Sequence, residues 1–103
     1  MEVLNETVRS EIRALPADLR ARFVRLGDRI RQTGLINLRE PHVKHLDGKL
    51  WEMRLQGRDG IAGALYVTAI GERVVVVRVF SKKTQKTPDA EIDLALQRAK
   101  EVQ

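Results

Sequence analysis

The sequence predicts an α+β fold in which helices pack on a small antiparallel sheet, and three observations lead to this prediction. The first third of the chain places apolar residues at helical spacing. In the middle of the chain, segments of alternating apolar and polar residues and segments of consecutive apolar residues are separated by turn signals. The last fifteen residues return to helical spacing. Since 103 residues are enough for one core and no more, we expect a single domain over residues 1–103.

Two helices separated by a proline are predicted for the first third. The first helix has an apolar stripe at i, i+4 and i+7: Val8, Ile12 and Leu15. A second stripe follows Pro16: Leu19, Phe23, Leu26 and Ile30. Because proline is tolerated in the first turn of a helix but not in its interior, the break belongs at Pro16. Gly34 is a suitable left-handed cap for the second helix, and the arginines at 20, 22, 25, 29 and 31 are interpreted as its solvated face.

Three strands are predicted for the middle of the chain, with a fourth left open. In "GKLWEMRLQG" the residues Trp51, Met53 and Leu55 lie on one face, and Glu52 and Arg54 lie on the other. Turn signals at residues 58–60 and 71–73 then separate "IAGALYVTAI" from "VVVVRVF". The order of elements is therefore helix, helix, three antiparallel strands and, after a proline, a C-terminal helix.

The last predicted strand carries a cation, and the C-terminal helix follows it. Alternation places Arg78 on the same face as Val74, Val76 and Phe80, where it either reaches an exposed sheet surface or pairs with Glu52. The helix is expected to begin at Asp89, directly after Pro88. Its apolar stripe is spaced for packing on the sheet: Ile92, Leu96 and Ala99.

Positive charge is concentrated in the middle of the chain. The net charge is +5, and residues 41–88 alone carry nine basic and four acidic side chains. A clustered basic surface indicates a polyanionic partner such as nucleic acid, although charge of this size also serves solubility alone. There is no cysteine, which excludes disulfides and thiolate metal sites. No apolar run is long enough for a bilayer and no signal sequence is evident, so we expect a cytoplasmic protein.

The stretch "FSKKTQKTP", residues 80–88, places three lysines directly after the last apolar strand. Lysines at the end of a strand often protect an exposed sheet edge from aggregation. Here Thr84, Gln85 and Thr87 lie between or beside the lysines, and hydroxyl and amide groups interspersed with cations suit hydrogen bonding to phosphate. We therefore favour contact with a phosphate backbone over edge protection.

The segments "EPHVKHLDGKLWEMR", "GALYV" and "VVVRVFSKKTQKTPDAEIDLALQRAKE" resemble the phage-derived HigB-like branch of the RelE/ParE toxin superfamily. The resemblance runs in order from about Leu15 to the C-terminus. It implies a RelE-like fold, with a helical hairpin packed on an antiparallel sheet, and the role of toxin in a type II toxin–antitoxin pair. It further implies ribosome-dependent cleavage of mRNA without metal or cofactor, and a cognate antitoxin, often of the helix-turn-helix type.

The resemblance also implies which residues form the site. Arg54 matches a basic catalytic position on the first sheet strand, and Lys83 matches a cation that stabilises the transition state, with Lys82 beside it. The remaining candidates are RNA-binding side chains: Lys44, His45, Lys49, Arg58, Arg78 and Lys86. His45 is equally an ordinary loop histidine, and that interpretation is favoured for it.

Two departures from the family pattern qualify these expectations. In "GIAGALY", Gly63 stands where the family has a phosphate-binding arginine, so Arg58, Arg73 or Arg78 would have to replace it. Otherwise the protein binds antitoxin or RNA without cleavage, or inhibits gyrase as ParE-like members do. The residues before Thr7 are also few, so the usual leading β-strand is expected to be missing, which would leave a sheet edge exposed.

Overall fold

A computed structural model describes residues 1–34, 43–69 and 73–102, which form three helices and a five-stranded mixed sheet. The elements in chain order are β1 (Glu2–Val3), α1 (Glu6–Arg13), α2 (Ala17–Thr33), β2 (Val43–Asp47), β3 (Leu50–Gln56), β4 (Ile61–Ala69), β5 (Arg73–Lys82) and α3 (Asp89–Ala99). The sheet order is β1-β5-β4-β3-β2, with β1 parallel to β5 and the other neighbours antiparallel. The predicted α+β class is confirmed, with more strands than predicted.

The predicted break between the first two helices is confirmed. The Asn5 side chain caps α1 by accepting a hydrogen bond from the backbone N–H of Val8 at 3.1 Å. Helix α2 begins directly after Pro16 and ends at Gly34, whose φ of 81° is the left-handed conformation that glycine adopts without strain. Helix α3 begins at Asp89, as the sequence predicts.

The helices cover both faces of the sheet. Helices α1 and α2 bury Val8, Leu19 and Phe23 against sheet residues that include Met53 and Tyr66. Helix α3 packs on the opposite face, where the buried side chains are Leu50, Leu65, Val67, Val75, Val77, Phe80 and Ala95. Because burial of apolar area drives this packing at roughly 25 cal/mol per Å², the two helix layers hold the sheet from both sides.

A β-bulge in β5 corrects the predicted orientation of Arg78. Leu65 of β4 pairs with Arg78, whereas the next residue, Tyr66, pairs with Val76, so Val77 is an extra residue on β5. Beyond the bulge the alternation is reversed. Arg78 therefore shares a face with Phe80, as expected, but the prediction that it shares one with Val76 is wrong.

The prediction that a leading strand is missing is also wrong. Strand β1 (Glu2–Val3) adds to β5 in parallel orientation. It covers only a short part of β5, and side chains satisfy the backbone beyond it. Glu11 accepts a hydrogen bond from the Val79 N–H at 3.1 Å, and Arg98 donates one to the Val77 carbonyl at 3.0 Å. Strand and side chains together close this edge over the paired residues.

The segment "VKHLDGK", interpreted as a loop, is a strand and a turn. Strand β2 pairs with β3, and Gly48, with a φ of 54°, lies in the turn between them. The predicted turn after β3 is confirmed, since the Gly57 N–H donates to the Gly60 carbonyl at 2.8 Å. Residues 71 and 72 of the other predicted turn lie outside the described residues. None of the helices in the described parts of the chain is long and apolar enough to cross a membrane.

Candidate nucleic-acid interface

A cavity of ≈ 430 Å³ lies beside α2, at the end of the sheet where β3 ends and β4 begins. Two of the three predicted catalytic residues, Arg54 and Lys82, line this cavity. In the described register, β2 pairs with β3 only as far as Met53, so Arg54 lies just past the paired region. The sheet thus brings together two cations that are far apart in sequence. Among the residues that the structure describes, no group of three His, Cys, Asp or Glu side chains could hold a metal ion.

Gly63 lies at the centre of this end of the sheet and has no room for a side chain. It pairs with Arg54 on one side and Phe80 on the other. A Cβ atom built at Gly63 would lie 2.5 Å from Oε2 of Glu52 and 3.2 Å from Cζ of Phe80. The Glu52 carboxylate therefore occupies the space that an arginine at position 63 would need, so the glycine in β4 and the glutamate in β3 are physically linked.

Glu52 is fully buried and fixes the segment that follows β5. The Lys82 Nζ lies 3.1 Å from Glu52 Oε2, and the Thr87 hydroxyl donates to the same oxygen at 2.7 Å. Lys82 also donates to the Gln85 carbonyl at 2.7 Å, and its side chain is only 2% exposed. A buried ion pair with these further hydrogen bonds is the arrangement in which burial of two charges is tolerated. We therefore assign Lys82 a structural role, and the catalytic role that the resemblance implied for it stays a prediction.

Arg54 remains available to an anion, unlike Lys82. Its Nε lies 3.6 Å from Glu52 Oε1, close enough for charge attraction but too far for a hydrogen bond. This Nε is buried and has no hydrogen-bond partner within the described structure, while the side chain as a whole is 27% exposed. A buried donor without a partner is costly and is normally satisfied by an added group. Arg54 thus combines a partly exposed side chain in the cavity lining with a buried Nε that has no hydrogen-bond partner among the described residues.

Lys83 and Lys86 are exposed, and neither is among the residues that line the cavity, although their sequence neighbours Lys82 and Gln85 are. Neither forms an ion pair or a side-chain hydrogen bond with any of the described residues. Lys83 directly follows Lys82, whose Nζ contacts the same Glu52 carboxylate as Arg54. We call residues 82–87 the lysine segment. Through Lys82 this segment begins at the same end of the sheet as Arg54.

Three α2 arginines also reach the cavity, although the sequence was interpreted as placing them on a solvated face. Arg22, Arg25 and Arg29 line it from the helix side. Their spacing of i, i+3 and i+7 is the signal that could have identified them, because it places three side chains on one face of a helix. None of the three side chains has an ion pair or hydrogen bond with another described residue.

The other two α2 arginines lie away from the cavity and have partners. Arg31 pairs with Asp28 at 3.1 Å, and Arg20 donates to the carbonyl of Arg13 at 2.9 Å. The helix therefore separates its arginines into a partnered set and an unpaired set.

The three predicted RNA-binding residues on the β2–β3 hairpin all lie outside the cavity. Lys44 and His45 are exposed on β2, and Lys49 is exposed in the turn. The His45 ring packs against the edge of Trp51, which is itself 37% exposed, with 5.0 Å between ring centroids. His45 Nε2 lies 2.7 Å from the Gly48 carbonyl, which can only accept, so Nε2 carries the proton. All three residues are thus exposed, and His45 belongs to an exposed aromatic pair with Trp51.

Arg78 and Arg73 are held in ion pairs, so neither replaces the missing strand arginine. Arg78 lies 2.7 Å from Glu91 and 2.8 Å from Glu11, and the hydrogen bonds that it donates to the Glu91 carboxylate raise the pKa of Arg78. It follows neither predicted alternative, and instead links β5 to α1 and α3. Arg73 donates to Glu2 through two hydrogen bonds, which raise the pKa of Arg73 and lower that of Glu2.

Arg58, the third proposed replacement, lies in the turn after β3. Its backbone N–H donates to Asp18 Oδ2 at 2.8 Å, which ties the turn to the start of α2. Its side chain is exposed and is not among the residues that line the cavity. The other arginines that line the cavity with Arg54 are therefore those of α2.

Residues 10–100 match the family described as phage-derived protein Gp49-like. The matched region contains α2, β2 to β5 and α3, and with them all the residues that line the cavity. This is a toxin-like family that belongs with the RelE and HigB toxins. No curated protein matches the sequence.

Proposed function

Because the chain belongs to the phage-derived Gp49-like family, we propose that it is the toxin of a type II toxin–antitoxin pair and cleaves mRNA on the ribosome. The observation that carries this proposal is that Arg54, Lys82 and Gln85 line one cavity, with Lys83 the next residue after Lys82. Clustered cations are the side chains that bind a polyanion and stabilise the charge that develops on a phosphate during cleavage. The proposed reaction requires neither metal nor cofactor.

In the proposed reaction the RNA supplies its own nucleophile. The 2′-oxygen attacks the adjacent phosphorus and the bond from phosphorus to the 5′-oxygen breaks, giving a 2′,3′-cyclic phosphate and a 5′-OH. One proton leaves the 2′-OH and one is delivered to the 5′-oxygen, so the reaction is balanced. Negative charge grows on the non-bridging oxygens, where the Arg54 guanidinium donates hydrogen bonds in a geometry suited to phosphate.

The lysine segment supplies the acid in this proposal. Lys83 is exposed and, among the described residues, unpaired, so its ammonium can protonate the leaving 5′-oxygen. The proton that leaves the 2′-OH passes to water. The buried contacts of Glu52 with Lys82 and Thr87 hold the segment in place, which reduces the entropy lost when the RNA is bound.

Family membership supports an antitoxin as a partner, and we propose a helix-turn-helix protein encoded beside this chain. Lys44, His45 and Lys49 are exposed outside the cavity, and in this proposal they contact the backbone of mRNA or ribosomal RNA. Lys86 and Arg58 have the same proposed role, since both are exposed.

Expression with and without the neighbouring gene, followed by mapping of message 5′ ends, tests the proposal. We expect growth arrest and new 5′ ends within translated regions, both relieved by the antitoxin or by Lys83→Ala. Lys100→Ala is the matched control, because Lys100 is an exposed lysine at the end of α3, away from the cavity. Growth arrest with all messages intact would remove the nuclease proposal.

A second candidate is RNA or antitoxin binding without cleavage, which the position of Glu52 favours. Its carboxylate lies against both Arg54 and Lys82, and it opposes the build-up of negative charge on a nearby phosphate. This candidate predicts RNA binding that weakens as salt rises, with no growth arrest on expression. The mapping experiment separates the two candidates, because only the first produces new 5′ ends.

A further inference from the structure

We propose that Arg22, Arg25 and Arg29 of α2 bind the phosphates of single-stranded RNA and supply the guanidinium charge that β4 lacks at Gly63. The inference rests on the proposed function for its choice of RNA as the ligand. It assigns a binding role to a helix face that the sequence alone indicated to be plain surface.

The geometry of α2 arranges the three arginines in a row. Successive members are three and four residues apart, so they are spaced by about 4.5 and about 6 Å along the helix axis and share one face. They form one wall of the cavity, and Arg54 stands in another wall. Four arginines thus line one space, and the planar fork of a guanidinium group can hold two phosphate oxygens at once.

The absence of partners distinguishes these arginines from their neighbours on the same helix. Arg31 has Asp28 and Arg20 has a backbone carbonyl, whereas no described residue pairs with the three that face the cavity. Arg54 adds a buried Nε without a hydrogen-bond partner in the described structure. Like charges brought together without counterions repel, and a bound polyanion removes that repulsion.

The rest of the lining favours RNA over an acidic peptide. Leu26, Leu55 and Ile61 give the cavity an apolar surface, and the amides of Gln56 and Gln85 lie beside them. A nucleotide combines an anionic phosphate with a flat base and a hydroxylated sugar, which match cations, apolar surface and amides respectively. The volume of ≈ 430 Å³ falls within the range of about 300–1,000 Å³ in which proteins hold small ligands.

Binding of a labelled, single-stranded 2′-O-methyl oligoribonucleotide, followed by fluorescence anisotropy, tests the inference with the full chain. This probe lacks a free 2′-OH, so it cannot be cleaved and no ribosome is needed. The cavity variant carries both Arg22→Gln and Arg29→Gln. The control variant carries both Arg20→Gln and Arg31→Gln, and so loses the same charge from the same helix. Circular dichroism confirms that both variants are folded.

The cavity variant should bind the probe about tenfold or more weakly, while the control stays within about twofold of the unsubstituted protein. The slope of log affinity against log salt should fall by about 1.4 in the cavity variant, since each phosphate contact on a single strand contributes about 0.7. Equal losses in both double variants would overturn the inference, because they would indicate a general field instead of a site. Polyglutamate competing as well as the oligonucleotide would overturn it in favour of an acidic protein partner.

The two proposals fail separately. Binding that depends on the cavity, without arrest or new 5′ ends in cells, would leave this inference standing and remove the nuclease. Arrest and new 5′ ends in cells, with probe binding unchanged in the cavity variant, would remove this inference alone.

Discussion

The two walls of the cavity differ in whether their cations are paired with other groups of the described structure. On the sheet side, Lys82 is buried and its charge is matched by Glu52 and by two further hydrogen-bond acceptors. On the helix side, Arg22, Arg25 and Arg29 have no partner among the described residues. The contrast indicates that the sheet-side cation stabilises the fold and that the helix-side cations are available for a ligand. Substitutions on each side should therefore change different properties.

The largest expected effect is on stability, from Glu52→Ala. This change leaves Lys82 buried and unpaired, and removal of one partner of a buried pair costs about 3–5 kcal/mol. Urea unfolding followed by circular dichroism measures the loss. Asp28→Ala, which removes the exposed partner of Arg31, is the control and should lower stability by less than about 1 kcal/mol. Equal losses in the two variants would contradict the contrast between the walls.

Ionisation of Tyr66 would place an unpaired negative charge in the core, and its effect on the free energy of unfolding can be measured. Burial raises the pKa of Tyr66 to about 12, above the ordinary value of about 10. Because the folded-state pKa is the higher one, this stabilisation is complete below about pH 10 and is lost as the pH rises through about 12. The loss amounts to about 3 kcal/mol.

The free energy of unfolding of Tyr66→Phe, followed from pH 9 to 12, isolates this contribution from the titration of the lysines. We expect the difference from the unsubstituted protein to change over the interval in which free tyrosine ionises. Parallel curves for the two proteins would show that burial of Tyr66 does not control its ionisation.

Gly63→Ala tests whether the Glu52 carboxylate fills the space above the glycine. The new methyl group would meet Oε2 of Glu52, which Lys82 and Thr87 hold in place, so we expect a loss of about 1–3 kcal/mol. The same substitution made in Glu52→Ala should cost much less, and a double-mutant cycle measures the coupling. Additive losses would contradict the link between the two positions. By the same reasoning, Gly63→Arg should not restore a phosphate-binding arginine while Glu52 remains.

The smallest effect on stability is expected on the helix side. Arg25→Gln removes no ion pair with a described residue and relieves repulsion from the neighbouring guanidinium groups, so unfolding should change by less than about 0.5 kcal/mol. Urea unfolding at low salt is the measurement. A loss of unfolding free energy comparable to that of Glu52→Ala would give Arg25 a structural role. It would contradict the claim that only the sheet-side cation stabilises the fold.

Local rules were sufficient for much of the fold. The stripe around Val8, the proline before α2 and the start of α3 at Asp89 each depend on neighbours in sequence, and each was predicted correctly. Strand alternation also placed Glu52 and Arg54 on one face. These features follow from helix periodicity, proline geometry and the strand period of two residues.

The features that decide the site depend on contacts between distant residues. The bulge at Val77 reverses which face of the sheet the following side chains occupy. It lies in a run of identical valines, so the sequence contains no signal for its position. The pairing of Glu52 with Lys82 joins residues thirty positions apart. Strand β1 is two residues long, too short for any pattern, so only its pairing with β5 reveals it. For these reasons the catalytic role expected of Lys82 could not be separated from a structural one by sequence.

The central claim is that RNA reacts at this cavity. The most direct test adds the protein to a purified translation reaction with a defined mRNA and maps the 5′ ends of the message over time. The account predicts that the unsubstituted protein and Arg31→Gln cut translated message at similar rates. Arg54→Gln should cut at least about 100-fold more slowly, because a donor to the developing phosphate charge is removed. Intact message with the unsubstituted protein, or unchanged cleavage by Arg54→Gln, would contradict the claim that RNA reacts at this cavity.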